Sequence, residues 1–175
     1  MNSEQAQYNQ LVKPIEHQMI QAVWRIIRHP QDAEDALQEA LMRLWKKWQQ
    51  IKKHPNPKAL ILTICIHAAY DVLRQRGRKP VHENLNDYDF TLPDDAALPS
   101  EKVERSELHA ALLNEISKLP QNQRIAVHMR YVEGFSDYEI AAALGCAEVT
   151  VRKHVSRACE KLRRQLPQVK AELLN

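Results

Sequence analysis

The stretch from residue 136 to residue 164 constrains this chain more than any other, because it has the form of a helix-turn-helix. Ser136 and Glu139 have the spacing of a capping box, in which each side chain accepts a hydrogen bond from the other residue's backbone N–H. Gly145 stands where the chain must turn sharply, and we expect a positive φ there. The sequence therefore predicts two helices joined by a tight glycine turn.

The second helix of this motif has one apolar stripe and one basic face. The apolar residues recur at helical spacing, and they are Val151, Val155, Ala158 and Leu162. If that stripe is buried, the residues that face outward are Arg152, Lys153, Ser156 and Arg157. Such a set suits phosphates and base edges in a DNA major groove. The alternative is an ordinary amphipathic hairpin with a solvated face, but the agreement of cap, glycine and basic face favours DNA binding.

The composition of the whole chain predicts an all-α fold. Its 175 residues include only 3 glycines, and Ala, Leu, Glu, Lys, Arg and Gln are abundant. The longest apolar run, 59–69, is interrupted by Thr63 and His67, so it is too short to span a bilayer and predicts a buried helix. We therefore expect no membrane insertion, and the polar N-terminus shows no signal peptide.

The three cysteines have neither a CxxC arrangement nor zinc-ligand spacing; they are Cys65, Cys146 and Cys159. An odd count without a secretory segment is typical of reduced thiols in a cytoplasm. We expect no metal and no cofactor.

Helical periodicity divides the N-terminal half into three segments. Residues 5–28 predict one amphipathic helix, which His29-Pro30 should end. Asp32 is expected to cap the second helix, whose wide apolar face includes Leu41 and Trp45. The third segment, 58–78, is apolar nearly all round at first and then basic, so its first half should be buried.

An acidic stretch separates the two halves of the chain. Residues 81–101 contain no Lys or Arg, six carboxylates and the prolines Pro93 and Pro99. This composition predicts a flexible linker. We therefore expect two small helical domains, 1–80 and 101–175, joined by the linker 81–100.

Two aspartates in that stretch raise the question of an enzyme. Asp87 and Asp89 are candidate metal ligands for a nucleic-acid-processing enzyme. Such an enzyme needs a convergent site, whereas these residues belong to the segment expected to be least ordered. The linker interpretation needs no extra assumption, so we expect no catalytic residues.

The order of three stretches resembles the extracytoplasmic-function (ECF, group IV) sigma factors of the sigma-70 family. The first is DAEDALQEALMRLWKKW at 32–48, the second is KALILTICIHAAYDVLRQRGR at 58–78, and the third runs from LPQNQRIAVHMRY to the end of the helix-turn-helix, at 119–162. The resemblance covers nearly the whole chain, with the acidic linker between the second and third stretches. It implies a helical σ2-like domain followed by a σ4-like domain.

This resemblance implies a role for each stretch. The first would bind the β′ clamp helices of core RNA polymerase through Asp32, Asp35, Gln38, Glu39, Arg43 and Trp45. The second would recognise and melt the promoter −10 element through Lys58, His67, Asp71, Arg74, Arg76 and Arg78. The outward set of the last helix would read the −35 element. The linker would thread toward the polymerase active site, and the β subunit is a further expected contact.

The chain departs from the family pattern at three places. Leu60 stands where the family usually has Trp, and His67 stands near a usual Asn. His67 either stacks on or bonds to an unpaired base, or it is a core histidine. Glu148 follows Ala147 where a small residue, Pro or Gly is more frequent. Its carboxylate either accepts from a cytosine amine or favours the helix N-terminus, and we favour the second.

We therefore expect a cytoplasmic, non-enzymatic sigma factor that binds core RNA polymerase and promoter DNA. An anti-sigma factor is a possible further partner, because many members of the family are held inactive by one. Two weak DNA modules on a linker gain avidity only when the core enzyme fixes their spacing, so the free protein should bind DNA poorly. One alternative is an activator of response-regulator type, but no strand pattern for a receiver domain is present. Another is an adaptor that does not read DNA, which the basic outward set argues against.

Overall fold

The computed structural model describes residues 3–76 and 99–167, and side chains within 5–76 and 108–167. Regular structure in these ranges is helical throughout, which confirms the expected all-α fold. The elements are α1 Ser3–Leu11, a 3₁₀ turn Lys13–Ile15, α2 Glu16–Ile26, α3 Pro30–Lys46, α4 Trp48–Ile51, α5 Pro57–Arg76, α6 Pro99–Ser117, α7 Gln121–Tyr131, α8 Asp137–Leu144 and α9 Glu148–Gln165.

Two expectations about the first helices were wrong. Residues 5–28 do not form one helix, because the 3₁₀ turn containing Pro14 separates α1 from α2. Proline lacks an N–H and its ring clashes with the preceding turn. Asp32 is not the N-cap of α3, since the helix already begins at Pro30 and His29 precedes it. Proline is well suited to a first helical position, so the helix starts three residues earlier than the aspartate indicated.

The N-terminal helices pack around α5. The first half of α5 is buried nearly all round, as its sequence indicated, and Ile61, Cys65 and Ile66 have no exposed surface. Helices α2 and α3 cover it. Burial raises the pKa of the Cys65 thiol to about 12, so this cysteine is an inert part of the core.

The C-terminal helices form the expected helix-turn-helix. The Ser136 N–H donates to a Glu139 carboxylate oxygen at 2.9 Å, and the Glu139 N–H donates to the Ser136 hydroxyl at 3.3 Å. Gly145 ends α8 with φ of 65°. The apolar stripe of α9 is buried against α7 and α8, with Val151 and Ala158 fully enclosed. The capping box, the positive φ and the buried stripe are all confirmed.

Helix α5 also contacts the C-terminal helices, chiefly α8 and α7. We call residues 3–76 the N-terminal module and 99–167 the C-terminal module. Most of the predicted linker, with Asp87 and Asp89, lies outside the described residues, and α6 begins at Pro99 near the linker's predicted end. The contact between the modules joins residues that are far apart in the sequence.

Candidate nucleic-acid and protein interface

Helix α9 presents its basic face to solvent. Arg152, Lys153, Ser156 and Arg157 are all exposed, and 58% of the Arg152 side chain is accessible. Within the described part of the chain, neither Lys153 nor Arg157 is paired with a carboxylate. The predicted outward set therefore lies on one accessible surface, with charges available to phosphates or base edges.

Arg152 has two acidic neighbours, and one of them was missed by sequence reasoning. Its Nη1 lies 3.8 Å from a Glu148 carboxylate oxygen and 3.9 Å from one of Asp137. Asp137 also accepts a hydrogen bond from Arg130 Nη1 at 3.1 Å. The signal for Asp137 was its place directly after the Ser136 cap, which puts a carboxylate at the start of α8 beside the recognition helix.

One face of α3 combines carboxylate and amide groups with exposed apolar side chains. Asp35 and Gln38 are exposed, and Trp45, Met42 and Leu41 are 61%, 53% and 41% accessible. Leu41 lies on the wide apolar face that the sequence predicted, and it is exposed because this face is wider than the neighbouring helices can cover. An exposed apolar patch beside polar groups is typical of a protein-binding surface.

The exposed Trp45 ring packs against a second, buried tryptophan. It stacks on the ring of Trp48 with centroids 6.4 Å apart and planes inclined by 19°. Trp48 is only 3% exposed, so it belongs to the core and fixes the orientation of the exposed ring. A rigid aromatic anchor of this kind contributes strongly to protein interfaces.

Other predicted polymerase-binding residues of α3 make ion pairs with α5. Asp32 is 6% exposed and pairs with Arg76, while its other close neighbour is His29. Arg43 donates from Nη1 to an Asp71 oxygen at 2.9 Å, and from Nε to Glu39 at 2.7 Å. The structure thus joins residues predicted for polymerase binding to residues predicted for the −10 element.

The predicted −10 residues of α5 differ in accessibility. Lys58 and Arg74 are exposed, whereas His67 is half-buried and its Nε2 lies 3.3 Å from Gln121 Nε2 of the C-terminal module. Burial and the nearby Arg124 lower the pKa of His67 to about 4, so the ring is neutral at pH 7. Arg78 lies outside the described residues.

The described ranges, 3–76 and 99–167, contain neither a cluster of metal-ligating side chains nor a membrane-spanning helix. There, no three His, Cys, Asp or Glu side chains cluster so that they could hold a metal ion. In the same ranges, no helix has the length and apolar character needed to cross a bilayer.

Two family models match the chain. The model described as sigma-70 region 2 matches residues 11–79, and that described as sigma-70 region 4 matches residues 109–162. The chain belongs to the sigma-70 family. It is a transcription initiation factor, and its relatives place it with the ECF type.

Several curated relatives match across most of their length. The sigma-H factor of Pseudomonas aeruginosa is 28% identical, covering 91% of this chain and 86% of the relative. The sigma-E factor of Streptomyces coelicolor is 29% identical over 93% of this chain and 88% of the relative. The ECF sigma-E factor of Escherichia coli is 26% identical over 91% and 86%.

Two solved structures share the fold. The Bartonella quintana sigma factor RpoE, in complex with the anti-sigma factor NepR, has a TM-score of 0.52 and 25% identity, covering 92% of this chain and 97% of that one. CnrH, in complex with the cytosolic domain of CnrY, has a TM-score of 0.55 at 20% identity, covering 91% and 87%.

Proposed function

We propose that this chain binds core bacterial RNA polymerase through the exposed face of α3 and reads promoters at two points. In this proposal α9 reads the −35 element and α5 captures the −10 element. The observation that carries it is the exposed basic set on α9, which stands on a buried apolar stripe in a helix-turn-helix. A helix with that division of faces is built to enter a major groove.

On the polymerase side, α3 supplies an aromatic anchor and exposed polar groups, and one of these, the Asp35 carboxylate, lies 3.9 Å from Arg76. Trp45 and Met42 would be buried against the clamp helices, and Asp35 with Gln38 would supply hydrogen bonds at the rim. Asp32, Glu39 and Arg43 would act partly through their ion pairs, which hold α3 against α5. Polymerase binding would therefore bear directly on the position of the −10 helix.

On the DNA side, the two helices would use different chemistry. Arg157 and Lys153 of α9 would contact phosphates and base edges of duplex DNA. Lys58 and Arg74 of α5 would contact the backbone of the melted strand, while Arg76 already pairs with Asp32. His67, being neutral, would offer a ring for stacking and a nitrogen for a hydrogen bond to a base.

This assignment leaves catalysis to the polymerase, so the chain is proposed to be a non-enzymatic subunit that acts in the cytoplasm. An anti-sigma factor is a further proposed partner, because both structural relatives were solved as complexes of that kind or with a cytosolic partner domain. The separation into domains 1–80 and 101–175 with a linker at 81–100 is proposed as the division between these roles.

Co-purification with core polymerase tests the α3 assignment. Asp35→Arg should abolish binding, because it places a cation where an exposed carboxylate faces the partner, and helical circular dichroism should be unchanged. Glu16→Arg is the matched control, since it reverses an exposed carboxylate on α2. Wild-type recovery of polymerase with Asp35→Arg would contradict the assignment.

A further inference from the structure

One carboxylate of the C-terminal module lies between two arginines from different helices. Asp137 is the first residue of α8, Arg130 belongs to the last turn of α7, and Arg152 lies near the start of α9. Arg130 Nη1 donates to Asp137 Oδ1 at 3.1 Å, while Asp137 Oδ2 lies 3.9 Å from Arg152 Nη1. The two oxygens of one side chain thus face two different guanidinium groups, and Asp137 links α7, α8 and α9.

The three side chains of this link differ in exposure. Only 17% of the Asp137 side chain is exposed, against 39% for Arg130 and 58% for Arg152. A carboxylate so far withdrawn from water needs a cationic partner. Arg130 is that partner, and its guanidinium also lies 5.7 Å from the centre of the Tyr131 ring. Asp137 is therefore held from one side, while its second oxygen faces an arginine that a ligand can reach.

A second carboxylate lies beside the same arginine. A Glu148 oxygen, four residues earlier on α9, is 3.8 Å from Arg152 Nη1. Because side chains of an α-helix lean toward its N-terminus, a guanidinium between Glu148 and Asp137 lies over the first turn of α9. The first residues of a recognition helix are those that contact base edges in the major groove. Arg152 is thus directed toward the end of α9 where bases would be read.

The other two cations of the outward set lack this restraint. In residues 3–76 and 99–167, Lys153 and Arg157 are exposed and have no carboxylate partner. A cation without a partner is free to follow a phosphate along the DNA backbone. A guanidinium between two carboxylates has lost that freedom and suits a target of fixed geometry. Guanine is such a target, because its O6 and N7 accept two parallel hydrogen bonds from one arginine.

We propose that Asp137 is a positioning residue for the −35 element, and that its carboxylate, anchored by Arg130, orients Arg152 toward a guanine. This inference rests on the function proposed above for α9 and adds the base that Arg152 reads. Asp137 acts through Arg152, by restricting where the guanidinium points. Its charge also competes with phosphates for that guanidinium, so it weakens binding to sites that lack the guanine. The carboxylate therefore raises discrimination between sites more than it raises affinity.

Initiation from a promoter library with a randomised upstream element tests this role. The full chain is combined with bacterial core polymerase, and the transcripts report the base preference at each upstream position. Arg152→Ala should remove a guanine preference at one position, and Arg152→Lys should remove most of it, because an ammonium cannot make two parallel bonds. Asp137→Asn should lower the preference at that same position about two- to fivefold, as expected for one partly exposed ion pair. The other positions should not change.

Two further measurements distinguish positioning from support of the fold. In the Arg152→Ala background, Asp137→Asn should have no further effect on base preference, whereas a structural role would still lower the preference at all positions. On DNA that lacks the guanine, holoenzyme with Asp137→Asn should bind with a steeper salt dependence, because the released Arg152 gains a phosphate contact. The slope of log affinity against log salt should steepen by about one.

Matched variants separate orientation from net charge and from folding. Glu160→Gln makes the same carboxylate-to-amide change on α9, but its partner Arg164 lies outside the outward set, so the base preferences should stay as in the wild type. Arg130→Gln removes the anchor of Asp137 and should lower the same guanine preference. It decides the question if Asp137→Asn lacks the helical circular dichroism of the wild type.

The possible outcomes separate this inference from the function on which it rests. Asp137 is not a positioning residue if Asp137→Asn keeps the wild-type preference at the position that Arg152→Ala changes. The same holds if the preference falls equally at every position, or equally with Glu160→Gln. If Arg152→Ala changes no position, this inference fails while upstream recognition by α9 stands. If the wild type gives no upstream preference at all, the proposed function fails as well.

Discussion

The two helices proposed to contact promoter DNA differ in what surrounds them. The outward residues of α9 are exposed, and Lys153 and Arg157 are without a carboxylate partner in the described ranges. The corresponding face of α5 is partly covered by α7 and α8, and its Asp71 and Arg76 are paired with α3. The surface proposed to read duplex DNA is thus exposed in the free chain, while the surface proposed for the melted strand is partly covered. That difference suits a factor that should capture single-stranded DNA only inside the polymerase.

If the exposed face of α9 reads DNA, removing one of its unpaired cations should have the largest effect on transcription. Arg157→Ala should lower transcription from a −35-dependent promoter by about fivefold to 150-fold, as expected for about 1–3 kcal/mol of lost base or phosphate contact. Arg163→Ala, which removes an exposed cation outside the outward set, is the control. Equal activity of Arg157→Ala and the wild type would show that α9 is not the reading helix.

The stability of the N-terminal module, which contains α5, should depend instead on the ion pairs between α5 and α3. Arg43→Ala removes bonds to Asp71 and Glu39 in partly exposed surroundings, and it should destabilise the N-terminal module by about 1–2 kcal/mol. Urea unfolding measures this loss, and Lys46→Ala removes an exposed cation of the same helix as control. Binding of a −35 duplex should not change. A loss no greater than that of the control would mean that the tie contributes nothing.

Removing the N-cap of α8 should destabilise the C-terminal module, which contains α9, and should leave the N-terminal module unchanged. Ser136→Ala removes the hydroxyl that accepts from the Glu139 N–H, and it should cost about 1 kcal/mol. Thermal unfolding and amide exchange in α8 should both report the loss. Ser136→Asp keeps an acceptor and should retain most of the stability. If amide protons of α2 and α3 lost as much exchange protection as those of α8, the effect would not be confined to the C-terminal module.

The last prediction concerns the pH dependence of stability. The pKa of His67 is about 4 in the folded chain against an ordinary value near 6.5, so the unfolded chain binds more protons between these values. The contribution of His67 to the free energy of unfolding is therefore fully present above pH 6.5 and is lost as pH falls toward 4. Burial first, and then Arg124, Arg43 and Lys47, oppose protonation of the ring, whereas Asp71 favours it. Urea midpoints for His67→Asn should vary less over this range. An identical slope would contradict the burial of His67.

Local features were predictable from the sequence, and contacts between modules were not. The cap, the glycine turn and the outward face of α9 follow from spacing within one helical hairpin, and they were correct. His128 and Tyr70 lie 58 positions apart, so no periodicity connects them. Leu41 shows a second limit: an apolar residue at helical spacing looks the same whether it fills a core or faces a partner. Pro14 did indicate a break between α1 and α2, but the apolar periodicity that continues through it led to the wrong prediction of a single helix.

Transcription in vitro with bacterial core polymerase tests the central claim most directly. With this chain added, the polymerase should start at defined sites on a promoter library, and starts should require both an upstream and a downstream element at a fixed separation. Asp35→Arg and Arg157→Ala should remove them by loss of polymerase binding and of upstream recognition respectively. Unchanged initiation with and without the chain would contradict a two-point promoter reader.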